Sequence, residues 1–286
     1  MRRTLLNPKI DFVFKKIFGS ADHPDILISF LNAVLKPQNP ITSVEIKNSD
    51  LEKEYIEDKF SRLDVKALTS SKEIINIEIQ LKNEYNMIQR SLYYWSKLYE
   101  EQLSEGDRYD KLSRTVCINI LDFKYLKNDR FHNGYRLKEI ETNEELTDLQ
   151  EIHFIEIPKL KIFDSAEEIV DLLEGWVEFL RDPESEVIRK LEMSNKEIRE
   201  AKDELYRLSR NSKERELYYL REKSLRDEIS ALANAEEKGL QQGLMQGKLE
   251  SAKSLLDILD DETIATKLNL DINIVKKLRK EMLNSL

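Results

Sequence analysis

The chain has 286 residues, with 46 Lys and Arg against 55 Asp and Glu and a net charge of −9. One Cys and three His exclude a disulfide framework and a Cys/His zinc site, and no run approaches the roughly 20 apolar residues of a membrane span. The acidic balance has the wrong sign for neutralising phosphates and counts against DNA binding, although local fields matter more than totals.

Hydrophobic residues make up 40% and charged residues 35%, which predicts a globular core plus long solvated helices. The N-terminus, MRRTLLNPKIDF, has two Arg but no apolar segment, so no signal peptide is expected and a reducing cytoplasm is the expected location. Asn7 to Phe18 reads as a helix, with Asn7 as cap, Pro8 in the first turn and Gly19 as its stop. Asp11 and Lys15 lie four apart on one face of it. A second helix runs from about Pro24 to Leu35, and Thr42 to Lys47 alternates like a strand. Leu51 to Phe60 is highly charged and irregular.

Arg62 to Leu81, RLDVKALTSSKEIINIEIQL, holds two runs with period-two patterning. Leu63, Val65 and Ala67 share an apolar face with Ile75, Ile77, Ile79 and Leu81, while Asp64, Lys66, Asn76, Glu78 and Gln80 point the other way. Both apolar faces must reach one core, so residues of equal parity pair and the loop has an odd length. A three-residue loop, Ser70 to Lys72, sets Asp64 opposite Glu78, and a five-residue loop keeps that pairing. Such a pair of carboxylates, about 4.5–5.5 Å apart at Cβ, repels unless a cation lies between them. The oxygen-only set of Asp, Glu and Gln suits Mg²⁺ or Mn²⁺. On spacing alone, a solvated sheet face is the favoured reading.

Glu84 to Ser104 is a long aromatic-rich helix ended by Gly106, expected to cover the sheet, with Arg90 and Lys97 on a solvated or phosphate-facing side. Ser113 to Phe123 is apolar nearly throughout, as in a strand buried on both faces, and places Cys117 in inert core. Tyr135 to Ile140 and Ile152 to Ile157 are further strands, and Pro158 closes the second. From Ser165 nothing strand-like follows. A helix capped by Asp164 or Ser165 runs to Leu180, and Glu184 to about Leu240 is almost continuous charge-laced helix. Gly239, Gly243 and Gly247 recur every four residues, at about 1 kcal/mol each relative to Ala. They predict a close helix–helix contact or a weak, mobile helix. Asp261 to Met282 reads as two short helices around a turn at Asn269 to Asp271, half of a helix-turn-helix or, the favoured reading, a docking or dimerising hairpin. Three segments are expected: an α/β domain over 1–162, a helical lobe over 163–234 and a helical tail over 235–286.

NPKIDFVFKKIFG, RLDVKA, NIEIQL, RSLYYWSKLYEEQL and INILDF, in that order, resemble the Rpn-type recombination-promoting nucleases, also labelled PD-(D/E)XK nuclease family transposases. The resemblance covers about Asn7 to Lys161 and implies a restriction-endonuclease-like mixed sheet flanked by helices, followed here by an all-helical C-terminal region. It further implies that Asp64 and Glu78 hold Mg²⁺ or Mn²⁺ with the Ile79 carbonyl as an extra ligand. Gln80 stands where many such nucleases carry Lys, and Asp11 matches an acidic position on the first helix. The implied activity is metal-dependent hydrolysis of DNA phosphodiester bonds, in recombination, transposition-like processes or defence. Lys66 is a candidate for the positive charge that the missing Lys would give. The competing expectation is a non-catalytic interaction module that assembles, as a homo-oligomer, through the C-terminal helices.

Overall fold

The alternation around Ser71 folds as a hairpin. Strands β2 (Val65–Thr69) and β3 (Ile74–Gln80) run antiparallel, with Val65 opposite Ile77, Lys66 opposite Asn76 and Ala67 opposite Ile75. That is the expected register. The computed structural model describes residues 5–47 and 65–283, so Asp64 and the charged stretch Leu51 to Phe60 lie outside the described residues. The Thr69 N–H donates to the Glu73 carbonyl at 3.0 Å and the Lys72 N–H to the Thr69 carbonyl at 2.9 Å, which closes a three-residue loop. Such a loop needs one left-handed residue, ordinarily Gly. Lys72 fills it at φ 65°.

Among the described residues the sheet has six strands in the order β1-β2-β3-β4-β6-β5. The other strands are β1 (Val44–Lys47), β4 (Thr115–Leu121), β5 (His132–Lys138) and β6 (Glu145–Glu156). β3, β4 and β6 are parallel, and the outer pairings are antiparallel. Every residue of β4 is buried, as a central parallel strand with both faces covered must be.

Parallel neighbours need a crossover, and helix α3 (Met87–Glu100) supplies it between β3 and β4. Its Met87, Tyr94 and Leu98 pack on Cys117, Leu121, Ile152 and Phe154. On the other side of the sheet, Gly19 at the end of α1 (Asp11–Phe18) approaches Val65 closely. There Phe14, Phe18, Phe30 of α2 (Pro24–Leu35) and Trp176 of α4 (Leu172–Arg181) form an aromatic core, with Phe18 and Trp176 rings 5.5 Å apart.

Three helix boundaries differ from expectation. α1 begins at Asp11, because Asn7 uses its side chain on the Lys9 N–H at 3.0 Å, inside a turn. α4 begins after Asp171, which forms a capping box with Glu174; only a short 3₁₀ turn follows Ser165. The continuous helix expected over 184–240 is interrupted at Asn195 and Asn211, whose side chains take the Ile198 and Lys213 N–H groups at 2.8 and 2.9 Å. The result is α5 (Glu186–Ser194), α6 (Lys196–Arg210) and α7 (Ser212–Leu255).

The chain divides into two compact units, Met1–Glu222 and Lys223–Leu286. The first contains the sheet together with α4, α5 and α6. The second contains the end of α7 with α8 (Asp261–Leu268) and α9 (Ile272–Leu283) around Ala252, Leu256, Ile264, Ala265 and Val275. Gly239, Gly243 and Gly247 lie within α7, and a Cβ on any of them would meet open space.

Candidate active site

Strand alternation sends Asn76, Glu78 and Gln80 to the α3 side of the sheet. Their parallel neighbours there are Cys117, Asn119 and Leu121. The face is roofed, so the solvated face that spacing alone favoured is corrected: Glu78 is only 3% exposed. A buried carboxylate needs a partner to offset its lost hydration. Arg90 of α3 brings Nε to 3.4 Å from Glu78 Oε2 and Nη1 to 3.7 Å from Glu84 Oε2. Its guanidinium also lies over the Tyr94 ring, 5.3 Å from the centroid. Beside this pair, the Ser91 hydroxyl donates to Asn119 Oδ1 at 2.8 Å, and Asn119 Nδ2 donates to the His153 carbonyl at 3.0 Å. Burial, with the Glu78 carboxylate adding to it, pushes the Cys117 thiol far above its ordinary range. It stays protonated and unreactive, as expected of core.

The carboxyl ends of β3 and β4 carry a polar rim. The Asp122 N–H donates to the Gln80 carbonyl at 2.9 Å, and Lys9 Nζ binds Asp122 Oδ2 at 2.7 Å. Lys82 and Glu84 pair at 2.9 Å. Beyond the carboxyl ends of parallel strands is where open α/β sheets bind ligands. The Asn7-Pro8-Lys9 turn is thereby fastened to the mouth of the site.

The structure brings Glu78 and Gln80 to one face, with Ile79 between them pointing its side chain into the opposite core. Asp11 stands at the start of α1, where Oδ1 accepts the Phe12 N–H at 2.7 Å and Oδ2 lies 3.8 Å from Arg221 of α7. Lys66 is engaged by Glu101 at the end of α3. A cation set against Glu78 is Arg90, a residue that the sequence left on either a solvated or a phosphate-facing side. The available signal was its place at the margin of the Met87, Ser91, Tyr94, Leu98 stripe, which is buried.

The Glu78 carboxylate, Ile79 carbonyl and Gln80 amide form an oxygen-only donor set, the kind that hard divalent cations take. Among the described residues, no cluster of three or more His, Cys, Asp or Glu side chains could hold a metal ion.

A second polar cluster lies at the other end of the strands, on the opposite face. Arg114 pairs with Glu73 at 2.8 Å and with Glu151, and Arg136 Nε reaches Glu151 Oε2 at 2.9 Å. His153 Nε2 lies 2.6 Å from Glu151 Oε1, and His132 Nε2 lies 2.9 Å from His153 Nδ1. Gly134 makes room for this, since a Cβ there would sit 3.1 Å from His153 Cε1. Burial alone would raise the Glu151 pKa, but the bonds from His153 and Arg114 hold it at about 2. Burial, then the neighbouring His153 and Lys36, pulls His132 down to about 4. The cluster cross-links β4, β5 and β6.

No curated protein and no solved structure matches the chain. A family model described as PD-(D/E)XK nuclease family transposase matches residues 8–235. That span contains the fastened Asn7–Lys9 turn's Pro8 and Lys9, the β2–β3 hairpin with its Glu-x-Gln, and the crossover helix that roofs Glu78. With a mixed sheet flanked by helices and a match over most of its length, the chain belongs to the PD-(D/E)XK nuclease family transposases.

Proposed function

We propose that the chain is a metal-dependent DNA endonuclease whose active site is the roofed face of β3. The observation that carries this is Glu78, a carboxylate held almost out of water on the family's Glu-x-Gln strand beside the mouth of a parallel sheet. The parity of the two runs in the sequence pairs Asp64 with Glu78. In this reading Asp64, Glu78 and the Ile79 carbonyl hold Mg²⁺ or Mn²⁺, which when bound polarises the scissile phosphate and lowers the pKa of a coordinated water. Gln80 orients the attacking water and cannot take its proton, because an amide does not titrate. Arg90 provides the positive charge that many such enzymes draw from Lys. Asp11 stays in the proposal through the resemblance alone. The activity belongs to DNA recombination or transposition-like processes in the cytoplasm.

A second reading rests on α7, whose Leu240 and Leu244 are exposed beside the open glycine face. In it the C-terminal helices assemble copies of the chain into a homo-oligomer, and catalysis is weak or absent.

Nicking of supercoiled plasmid in Mg²⁺ separates the two. The native protein nicks, Glu78→Ala does not, and Arg90→Lys retains more activity than Arg90→Ala. Equal nicking by native protein and Glu78→Ala sinks the assignment.

A further inference from the structure

The second unit carries a feature that the nuclease site leaves unused. α8 ends at Leu268 and α9 begins at Ile272, so a three-residue turn, Asn269 to Asp271, joins them. Asn269 is left-handed at φ 50°, in a turn where helix-turn-helix motifs often hold Gly. The Leu270 N–H closes the turn on the Ala265 carbonyl at 3.0 Å. Ala265 and Val275 face each other's helix from the core, with Ile264, and the end of α7 supplies a third helix through Ala252 and Leu256. Arg279 fixes α9 to this base: Nε binds Asp261 Oδ1 at 2.6 Å and Nη2 the Leu259 carbonyl at 2.6 Å. One cation is thus spent on rigidity.

The outward face of α9 is different in kind. Asn273, Lys276, Lys277 and Lys280 follow the i, i+3, i+4, i+7 spacing of one helix face, and all four are exposed. α9 holds four cations, Lys276, Lys277, Arg279 and Lys280, against the single acid Glu281, a net +3 in a chain whose total is −9. The exposed large apolar side chains of α9, Met282 and Leu283, lie in its last turn beyond those four positions. Protein interface cores are depleted in Lys, whereas Lys on phosphate and Asn or Lys on base edges are the chemistry of a helix in the major groove.

We propose that α7's end, α8 and α9 form a helix-turn-helix unit that docks on duplex DNA, with α9 in the major groove. Asn273, near the helix start, meets base edges, and Lys276, Lys277 and Lys280 meet phosphates or bases along the groove. The unit tethers the protein to DNA independently of its catalytic face. The choice of partner leans on the nuclease reading, while the basic face itself selects a polyanion.

The test is fluorescence anisotropy of the full chain on a labelled duplex in EDTA, where no hydrolysis occurs. Replacing Lys276, Lys277 and Lys280 together by Ala should weaken binding about ten-fold or more and lower the salt slope by about 1 for each lysine that meets a phosphate. Glu281→Gln, which releases Lys277 from its neighbour at 4.0 Å, should tighten binding, and it guards against a misfolded triple variant. The readout is binding in EDTA and not hydrolysis, so failure of the nuclease reading stays distinguishable. Unchanged affinity and salt slope in the triple variant overturn the proposal, as does absence of duplex binding by the native chain. A triple variant altered in oligomeric state by light scattering, with DNA binding intact, assigns the face to a second copy and also overturns it.

Discussion

Replacing His132 by Gln should change how the protein responds to acid, and the size of the change follows from the buried cluster. His132 titrates at about 4 in the fold instead of its ordinary 6.5, first because burial disfavours the cation and then because His153 and Lys36 lie close. Between those values the unfolded chain holds a proton that the folded chain does not, so stability rises with pH. The contribution is complete above about pH 6.5 and is lost as pH falls towards about 4. A displacement of about 2.5 units corresponds to about 3 kcal/mol. Glu151 has the same sign in a lower window, between 4.5 and about 2, where its carboxylate loses the bonds from His153 and Arg114. Urea unfolding from about pH 7 down to about pH 4.5 therefore isolates the histidine. The native protein should lose about 2–3 kcal/mol more over that interval than His132→Gln does. Parallel profiles for the two proteins would refute the reasoning, because the slope would then come from groups outside the cluster.

Two further outcomes are expected. Lys72→Gly should raise stability by about 0.5–1 kcal/mol in urea unfolding, because relief of the left-handed strain exceeds the added freedom of the unfolded chain; a loss of stability would contradict the turn. Mg²⁺ or Mn²⁺ should raise the melting temperature of the native protein and leave an Asp64→Asn, Glu78→Gln double variant unmoved, since a cation relieves the repulsion of two close carboxylates; equal shifts in both would exclude a metal at that pair.

The hairpin was legible because parity constrains it. Ile75 and Ile77 must share a core with Val65 and Ala67, and only odd loops allow that. β4 was legible because a strand covered on both faces has no polar alternation to confuse it. Helix starts were less so. Asp171 and Glu174 spell a capping box, but Asp164 and Ser165 offered an equally acceptable cap six residues earlier. The breaks at Asn195 and Asn211 were hidden because the charged residues on either side are good helix formers. Within the candidate site, strand period put Glu78 and Gln80 on one face and the resemblance made that face a site, whereas the pairing of Arg90 with Glu78 came from neither. That pairing depends on how the crossover helix settles on the sheet. The His132, His153 and Glu151 cluster was missed for a related reason. His132 and His153 are 21 residues apart, and only the β5–β6 pairing brings them together.

The parallel centre of the sheet also sets the order in which the chain can be assembled. β2 and β3 pair across three residues, so their contacts close a short loop. β3 meets β4 by joining Ile74 to Thr115, and β4 meets β6 by joining Thr115 to Gln150. Such distant pairings form slowly because loop-closure entropy is lost before their contacts are gained. During synthesis the hairpin emerges first, with one edge of β3 unpaired until residues 81–114 and then β4 have followed. Through that interval Ile75, Ile77 and Ile79 lie on an open apolar strand, the kind of edge that recruits other chains. Glu78 and Lys72 place charges within the same segment, and charge within an exposed apolar strand opposes its pairing with other chains.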